Sequence, residues 1–224
     1  MRGTLDSVTL SPTTRSTLGR KRDRAATDRA ALHAVLDEGL VCHLGFVRDG
    51  APVVLPTAYG RDGETLYLHG STGARWLAGD ELPCCVTVTH LDGIVHARAV
   101  MHFSMNYRSA VVHGSARRLT GADERWHALR TIVEHLTPGA WDHARRPDRR
   151  ELAATAVFAL DLTEASVKTR SGPPSDDEAD VTADLAWSGV VPVRTVTGVP
   201  ERAPDLPEHH TLPAHLAGRV HRDG

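Results

Sequence analysis

The sequence has few of the residues that mark specialised classes of protein. Only three of its 224 residues are cysteines (Cys42, Cys84 and Cys85), and two of them are adjacent, so they form no disulfide framework. No apolar run approaches the roughly 18–20 residues of a membrane helix, and the first ten residues lack the apolar region of a signal peptide. These absences predict a cytoplasmic protein with no membrane partner.

Strong positive charge and the familiar nucleotide and metal motifs are also missing. The formal net charge is −2, and lysine occurs only at Lys21 and Lys168. A dedicated nucleic-acid-binding domain is usually strongly basic, so we expect no nucleic-acid partner. Neither G-x-G-x-x-G nor a Walker loop occurs, which argues against Rossmann and P-loop nucleotide binding. The 14 histidines form no H-E-x-x-H motif, and no C-x-x-C pair occurs, so we predict no metal site.

The chain does contain a clear alternation of helical and β-rich segments. Apolar residues make up 41% of it, enough for the core of one domain. Behind Asp28, apolar residues recur with helical spacing as far as Gly39, which predicts a capped helix. Three short β-rich segments follow at 40–47, 52–59 and 65–69, joined at Asp49-Gly50 and Asp62-Gly63. Links this short predict antiparallel pairing.

The remaining segments extend this pattern to about six strands with inserted helices. Further strands are expected at 84–89, 109–119 and 155–167, helices at 123–136 and after Asp148, and a third turn at Asp92-Gly93. The fold class predicted is mainly β with helices, a small antiparallel barrel. Residues 1–25 are expected to form an arm, residues 26–200 the folded domain, and residues 201–224, rich in proline and charge, a disordered tail.

One turn has the composition of a phosphate site. A strand ends at His69, the small residues Gly70-Ser71-Thr72-Gly73 follow, and Arg75 lies one turn into the next helix. Backbone N–H groups at a helix start bind anions, and an arginine adds a bidentate contact. The same residues also suit an ordinary capped turn, and both interpretations remain open on spacing alone.

Five segments, taken in order, resemble a known family. The order resembles the flavin-nucleotide-binding proteins of the pyridoxamine 5′-phosphate oxidase-like split-barrel superfamily, in the branch that holds the nitroimidazole-resistance (Nim-type) proteins. The resemblance spans about residues 15–195 and rests on the combination rather than on any single motif. The segments are Pro52-Val-Val-Leu-Pro-Thr, Leu66-Tyr-Leu-His-Gly-Ser, Cys85-Val-Thr-Val, Asn106-Tyr-Arg-Ser-Ala-Val-Val-His-Gly-Ser-Ala and Lys168-Thr-Arg-Ser-Gly-Pro-Pro.

The resemblance implies a six-stranded antiparallel split β-barrel that forms a homodimer, with one FMN per subunit at the dimer interface. Residues 53–57 would run beside the isoalloxazine ring, and residues 69–70 beside the ribityl chain. The phosphate would be held by residues 71 and 75, and the pyrimidine edge by residues 108–109, where the oxidase has Arg-Gln. Residue 187 would cover the flavin from the partner subunit. The implied cofactor-binding residues are Val54, Leu55, Pro56, Thr57, His69, Gly70, Ser71, Arg75, Arg108, Ser109 and Trp187.

The sequence also departs from the oxidase pattern. Pro52 and Thr57 stand where the oxidase has arginine and lysine, and no Arg-Leu-His-type segment follows Trp187. Phe103 stands where many relatives have a histidine. The resemblance therefore implies an FMN-dependent oxidoreductase acting on a small molecule other than pyridoxamine phosphate, with no side-chain acid or base assigned. Two alternatives stay open: a non-catalytic flavin or haem carrier or sensor, and a deazaflavin-dependent reductase.

Overall fold

All the strands in the described part of the chain belong to one antiparallel sheet. The computed structural model describes residues 9–10, 13–74 and 79–218. The strands are β1 (Ala25–Ala26), β2 (Val41–Arg48), β3 (Ala51–Asp62), β4 (Thr65–Ser71), β5 (Glu81–His96), β6 (Ser104–Arg118), β7 (Thr155–Asp161), β8 (Ala165–Arg170) and β9 (Gly189–Pro192).

Six of these strands close into a barrel in the order β2-β3-β4-β7-β6-β5 and back to β2. Two of its seams are short. The β3–β4 ladder covers only Tyr59–Asp62 against Thr65–Leu68, and β7 meets β6 at only two residue pairs. Strand β8 continues along β6, with β1 on its outer edge, and β9 adds to β5. The predicted six-stranded antiparallel split barrel is confirmed.

The barrel interior follows from the period-2 alternation of its strands. Successive side chains of a strand point to opposite faces, so the buried residues of β2, β5 and β6 lie on alternate positions along most of each strand. Tyr59 is fully buried, and its hydroxyl donates to the carbonyl of Leu36, which ties β3 to the first helix. The largest fully buried side chains are Tyr59, Phe158, Leu32, Leu36, Leu66, Leu160, Leu162, Val86, Val88, Val95, Val112 and Val157.

Six α-helices lie around the barrel in the described residues: α1 (Arg29–Glu38), α2 (Ala122–Leu136), α3 (Ala140–His143), α4 (Arg149–Ala154), α5 (Glu178–Ala183) and α6 (Ala214–Ala217). Helix α1 begins behind Asp28 as predicted, where the carboxylate accepts the N–H of Ala30, and it ends at Gly39. Asp148 forms a capping box with Glu151 at the start of α4. No described helix is long and apolar enough to cross a membrane.

Helix α2 packs on the barrel, but its buried face differs from the sequence expectation. The helical spacing of Trp126, Leu129, Ile132, Val133 and Leu136 in the sequence predicts that they share a core face. Trp126 is nevertheless 37% exposed, whereas Ala128 and Ile132 are buried. Trp126 instead meets the edge of Trp141 on α3, with ring centroids 5.2 Å apart. The short helix α3 therefore covers part of the stripe that the barrel does not reach.

The close approach of α2 to β3 depends on Gly60, which gives a stability prediction. A Cβ atom at Gly60 would lie 2.7 Å from backbone atoms of Thr131 and Ile132, and backbone cannot swing aside as a side chain can. Gly60→Ala should therefore destabilise the fold by about 1–3 kcal/mol, the usual cost of overpacking. Urea unfolding measures this, with Gly19→Ala, which has open space around it, as the control. Equal free energies of unfolding for the two variants would show that α2 shifts to make room for the added methyl group without loss of stability.

Two sequence expectations about strands are wrong in detail. Asp92-Gly93 forms no turn, because β5 continues to His96 through a bulge between Leu91 and Gly93. The bulge accommodates the extra residue and leaves Asp92 free to bind Arg108. The expected long strand at 155–167 is interrupted after Asp161, and its two parts, β7 and β8, pair with successive stretches of β6. The two turns at Asp49-Gly50 and Asp62-Gly63 are confirmed, with positive φ at Asp49, Gly50 and Gly63.

The segments outside the barrel also make contacts with it. Leu10, from the expected arm, is 7% exposed and belongs to the main core cluster, and Arg15 forms an ion pair with Glu164. In the expected tail, residues 201–218 carry the short helix α6, and the ring of His215 lies against His143. The limits of the arm, domain and tail remain predictions.

Candidate cofactor-binding site

The opening in the barrel lies between β3 and β4, and two groups of sequence-predicted residues flank it. The β3–β4 ladder stops at Tyr59 and Leu68 although both strands continue beyond it. Residues 54–57 therefore lie on one side of the opening and residues 69–71 on the other. The structure thus brings together the segments expected to contact the isoalloxazine and the ribityl chain.

The two sides of β3 offer different surfaces at this opening. Leu55 and Thr57 are half-buried, whereas Val54 is 63% exposed and Pro56 is also exposed. The exposed side continues on β2, where Val41 and Val47 are 51% and 70% exposed. This outer surface of β2 and β3 is an apolar sheet face that no other described residues cover.

The turn after β4 satisfies most of its own N–H groups. The N–H of Thr72 donates to Ala154, and those of Gly73 and Ala74 donate to the hydroxyl and carbonyl oxygens of Ser71. The N–H groups of Thr72, Gly73 and Ala74 are therefore paired within the protein, and a phosphate site at this turn stays a prediction. The hydroxyl of Ser71 remains as a donor, and Arg75 lies outside the described residues.

Arg108 and Ser109, which are adjacent in the chain and are both predicted to bind the flavin, lie in different surroundings. The Arg108 guanidinium binds both Glu38, at the end of α1, and Asp92, in the β5 bulge, with Nη2 2.8 Å from a carboxylate oxygen of each. These hydrogen bonds from Arg108 hold the pKa of Glu38 and of Asp92 below their usual ranges. The Ser109 hydroxyl donates weakly to the Lys168 carbonyl, at 3.4 Å. Arg108 thus joins α1, β5 and β6, and its contact with the flavin stays a prediction.

Trp187 belongs to an exposed aromatic group at the far end of β5. Its side chain is 67% exposed, and its ring lies 5.9 Å from that of His96, which in turn lies 5.0 Å from Phe103. A large aromatic ring this exposed suits a contact with another molecule. Its role as a cover for the partner's flavin stays a prediction.

A cavity beside His69 is the feature that sequence reasoning missed. It has a volume of about 330 Å³ and lies where α2, α3 and α4 meet the end of β4. Its walls are largely apolar, and arginine and glutamate side chains form its polar part. The lining residues are His69, Leu129, Val133, Ala140, Trp141, Ala144, Arg145, Arg146, Pro147, Glu151, Leu152 and Thr155.

Two titratable side chains give this cavity its chemical character. Desolvation by the surrounding protein lowers the pKa of His69, which favours its neutral imidazole, although part of the side chain remains exposed to solvent. Arg146 lies over the ring of Trp141, 4.9 Å from its centroid. The Nη1 atom of Arg146 is enclosed and has no hydrogen-bond partner in the described part of the chain. The cavity therefore combines an imidazole that favours its neutral form, apolar walls and one arginine nitrogen without a partner, on a guanidinium whose Nη2 pairs with Asp142.

One group of possible metal ligands lies elsewhere. The donor atoms of His102, Asp177 and Asp180 lie within 4.8 Å of one another in the described residues. The Asp177 carboxylate is 77% exposed, and surface carboxylates often gather without an ion. This group is no evidence of a metal centre, and the absence of a metal site stays a prediction.

Comparison with known proteins identifies the family. The family model for pyridoxamine 5′-phosphate oxidase matches residues 28–169, more than half of the sequence. The chain belongs to the pyridoxamine 5′-phosphate oxidase family. No curated protein matches it.

Two solved structures of this oxidase family's fold resemble the chain over almost its full length. Flavocytochrome Anf3 from Azotobacter vinelandii is 35% identical, with a TM-score of 0.86 over 93% of this chain and 98% of that one. The FAD and heme binding protein from Mycobacterium smegmatis is 36% identical, with a TM-score of 0.83 over 88% of this chain and 97% of that one.

A third structure shares the fold alone. It is described as a candidate 5-nitroimidazole antibiotic resistance protein from Bacteroides thetaiotaomicron. That protein is 19% identical, with a TM-score of 0.54 over 64% of this chain and 85% of that one. At this identity the likeness shows the shared fold alone, and the identity to the flavocytochrome and to the FAD and heme binding protein is higher.

Proposed function

We propose that this protein is a flavocytochrome, an oxidoreductase that binds one flavin and one haem per subunit. The observation that carries the haem assignment is the cavity beside His69, with its neutral imidazole and its enclosed arginine nitrogen. Support also comes from the two relatives at 35% and 36% identity, one a flavocytochrome and the other an FAD and heme binding protein. The sequence left haem binding open as an alternative to flavin binding alone. The cavity makes haem, together with a flavin, the cofactor set that we propose.

The residues of the cavity fit a haem in three respects. A neutral histidine is the usual protein ligand of haem iron, and the lowered pKa keeps His69 in that form. Trp141 and the leucine and valine side chains of α2 and α4 form an apolar wall for the porphyrin. Arg146 suits a propionate group through its unpaired Nη1, since arginine forms charge-assisted hydrogen bonds with carboxylates; its Nη2 donates to Asp142, and Arg145 already pairs with Glu151. The bound haem supplies one-electron transfer.

The flavin is assigned to the barrel opening and to the exposed face of β2 and β3. Residues 54–57 and 70–71 flank the opening, and Arg75 follows in the chain, whereas the His69 side chain lines the cavity and is assigned to the haem. FMN is the cofactor that the resemblance implies, whereas the relative at 36% identity binds FAD, so we propose FAD for this chain. The bound flavin supplies two-electron exchange with a small-molecule substrate.

The exposed sheet face leads us to expect a homodimer. Val41, Val47 and Val54 are each more than half exposed on neighbouring strands, which is unusual for a surface that faces only water. We expect a specific interface of at least about 1,000 Å². Light scattering on the flavin-loaded protein should therefore give the mass of a dimer, and Val54→Glu should weaken dimerisation because it places a charge in the apolar face. A monomer with flavin bound would contradict the shared site.

The spectrum and the cofactor mass of the purified protein test the whole proposal. Flavin bands together with a Soret band, and FAD released on denaturation, are the expected result. Flavin bands without a Soret band, even after haem is added, would overturn the haem assignment and leave a simple flavoprotein. A released mass of FMN or of a deazaflavin would overturn the choice of FAD. Bleaching of the flavin by NAD(P)H would separate an enzyme from a carrier.

A further inference from the structure

We propose that the C-terminal segment 201–218 is a clasp that holds helix α3 in place and thereby retains the haem. This inference rests on the proposed function, because α3 is a wall of the cavity beside His69. It concerns residues that the cofactor itself does not touch, and it assigns a task to a tail that the sequence predicted to be disordered.

Helix α3 needs support from outside because it has only four residues. A helix this short has no intrinsic stability. On one side it is held by Glu134 of α2, whose two carboxylate oxygens accept the N–H groups of Gly139, at 2.7 Å, and Trp141, at 2.8 Å. These bonds fix the start of α3, and α2 also contacts it through Trp126, which meets Trp141, and through Arg130, 3.9 Å from Asp142.

The C-terminal segment contacts α3 through His215. The ring of His215 lies against the ring of His143, with centroids 5.1 Å apart. Gly139 has a φ of +87°, and a Cβ atom built there would come within 3.0 Å of the Cβ of His215. The tail therefore contacts α3 at both ends. It approaches Gly139, before the first residue, as closely as a glycine allows, and it contacts the ring of His143, the last residue.

The segment that carries His215 has internal support. The Arg202 guanidinium donates to the carbonyls of Pro207, at 3.0 Å, and His210, at 2.8 Å. Helix α6 follows Pro213, and most of the segment is exposed to solvent. A preformed loop that buries little surface can hold α3 and still detach without unfolding the barrel.

Loss of this contact would act on the cavity through Trp141. This side chain is 7% exposed, lies on α3, and meets both Trp126 and Arg146. If α3 loosens, the apolar wall and the position of Arg146 over Trp141 are both lost. The flavin side of the barrel contains no residue of α3, so flavin affinity should not change.

The test compares His215→Ala with His209→Ala in the full-length, flavin-loaded protein. His209 lies in the same segment and contacts only the neighbouring His210 ring among the aromatic contacts of the described residues. Because an aromatic pair is worth about 0.5–1.5 kcal/mol, His215→Ala should raise the rate of haem transfer to apomyoglobin about two- to tenfold. His209→Ala should match the wild type, and truncation after Pro200 should reproduce or exceed the effect of His215→Ala.

Hydrogen exchange over residues 139–146 gives a readout that needs no haem. Exchange there should rise in His215→Ala and in the truncated chain, and not in His209→Ala. Unchanged exchange and unchanged haem transfer in a wild type that binds haem would overturn the clasp alone. If the wild type binds no haem, the proposed function fails, whereas the exchange result still decides whether the tail holds α3.

Discussion

His69→Ala is expected to abolish the Soret band of the reconstituted protein while flavin absorbance remains. The imidazole of His69 is the only histidine side chain that lines the cavity among the described residues, so its loss leaves the iron without that ligand. A haem held only by apolar contacts and propionates dissociates far more easily than one ligated by histidine. The measurement is a haem titration followed in the Soret region, alongside flavin content.

The control for this variant is His127→Ala. His127 lies on α2, outside the cavity lining, and its exposed ring contacts Asp62 at 2.9 Å. An exposed pair of this kind contributes little, so the control should bind haem as the wild type does. Equal haem affinity of His69→Ala and wild type would show that iron is ligated elsewhere.

The pH dependence of haem binding follows from the same histidine. Protons compete with iron for the imidazole, and desolvation places the pKa of His69 below the ordinary 6.5. The neutral form therefore persists to lower pH than in a solvated histidine, and haem affinity should stay level from pH 8 to about pH 6.5. A fall that begins within this range would point to a histidine with an ordinary pKa as the ligand.

Arg75→Ala is expected to weaken binding of FMN and FAD about ten- to hundredfold, because one charge-assisted contact is worth about 1.5–3 kcal/mol. Riboflavin, which carries no phosphate, should be affected little. Arg75 lies outside the described residues, so this prediction rests on the family resemblance and on its position four residues after Ser71. We expect Arg75 to contribute much of the phosphate affinity, because the N–H groups of the preceding turn are already paired.

Flavin-fluorescence titrations of each ligand decide the role of Arg75. Arg75→Lys should keep part of the phosphate affinity, since a point charge remains without the bidentate geometry. Arg20→Ala, in the exposed part of the arm, is the matched control. If Arg75→Ala weakens riboflavin and FMN equally, the residue is structural. If it weakens neither, the phosphate site lies elsewhere.

The barrel could be predicted from local patterns because each strand carries its own alternation and each tight turn its own residues. The Asp-Gly pairs illustrate both the strength and the limit of such patterns. Two of them form turns with positive φ, while Asp92-Gly93 forms a bulge inside a strand. The same dipeptide suits both structures. The strand is favoured by pairing of β5 with β6 and β9 and by the ion pair between Asp92 and Arg108, which are 16 residues apart.

The sequence by itself determined the strand and helix segments, the split-barrel family and the two chain segments that flank the opening. Only the tertiary structure decided the position of the cavity, because its lining comes from β4, α2, α3 and α4, which are separated in the chain. It also decided the state of His69, since a pKa depends on desolvation by residues distant in sequence. The direction of Arg108 was likewise set by carboxylates on α1 and β5 that no local pattern connects to it.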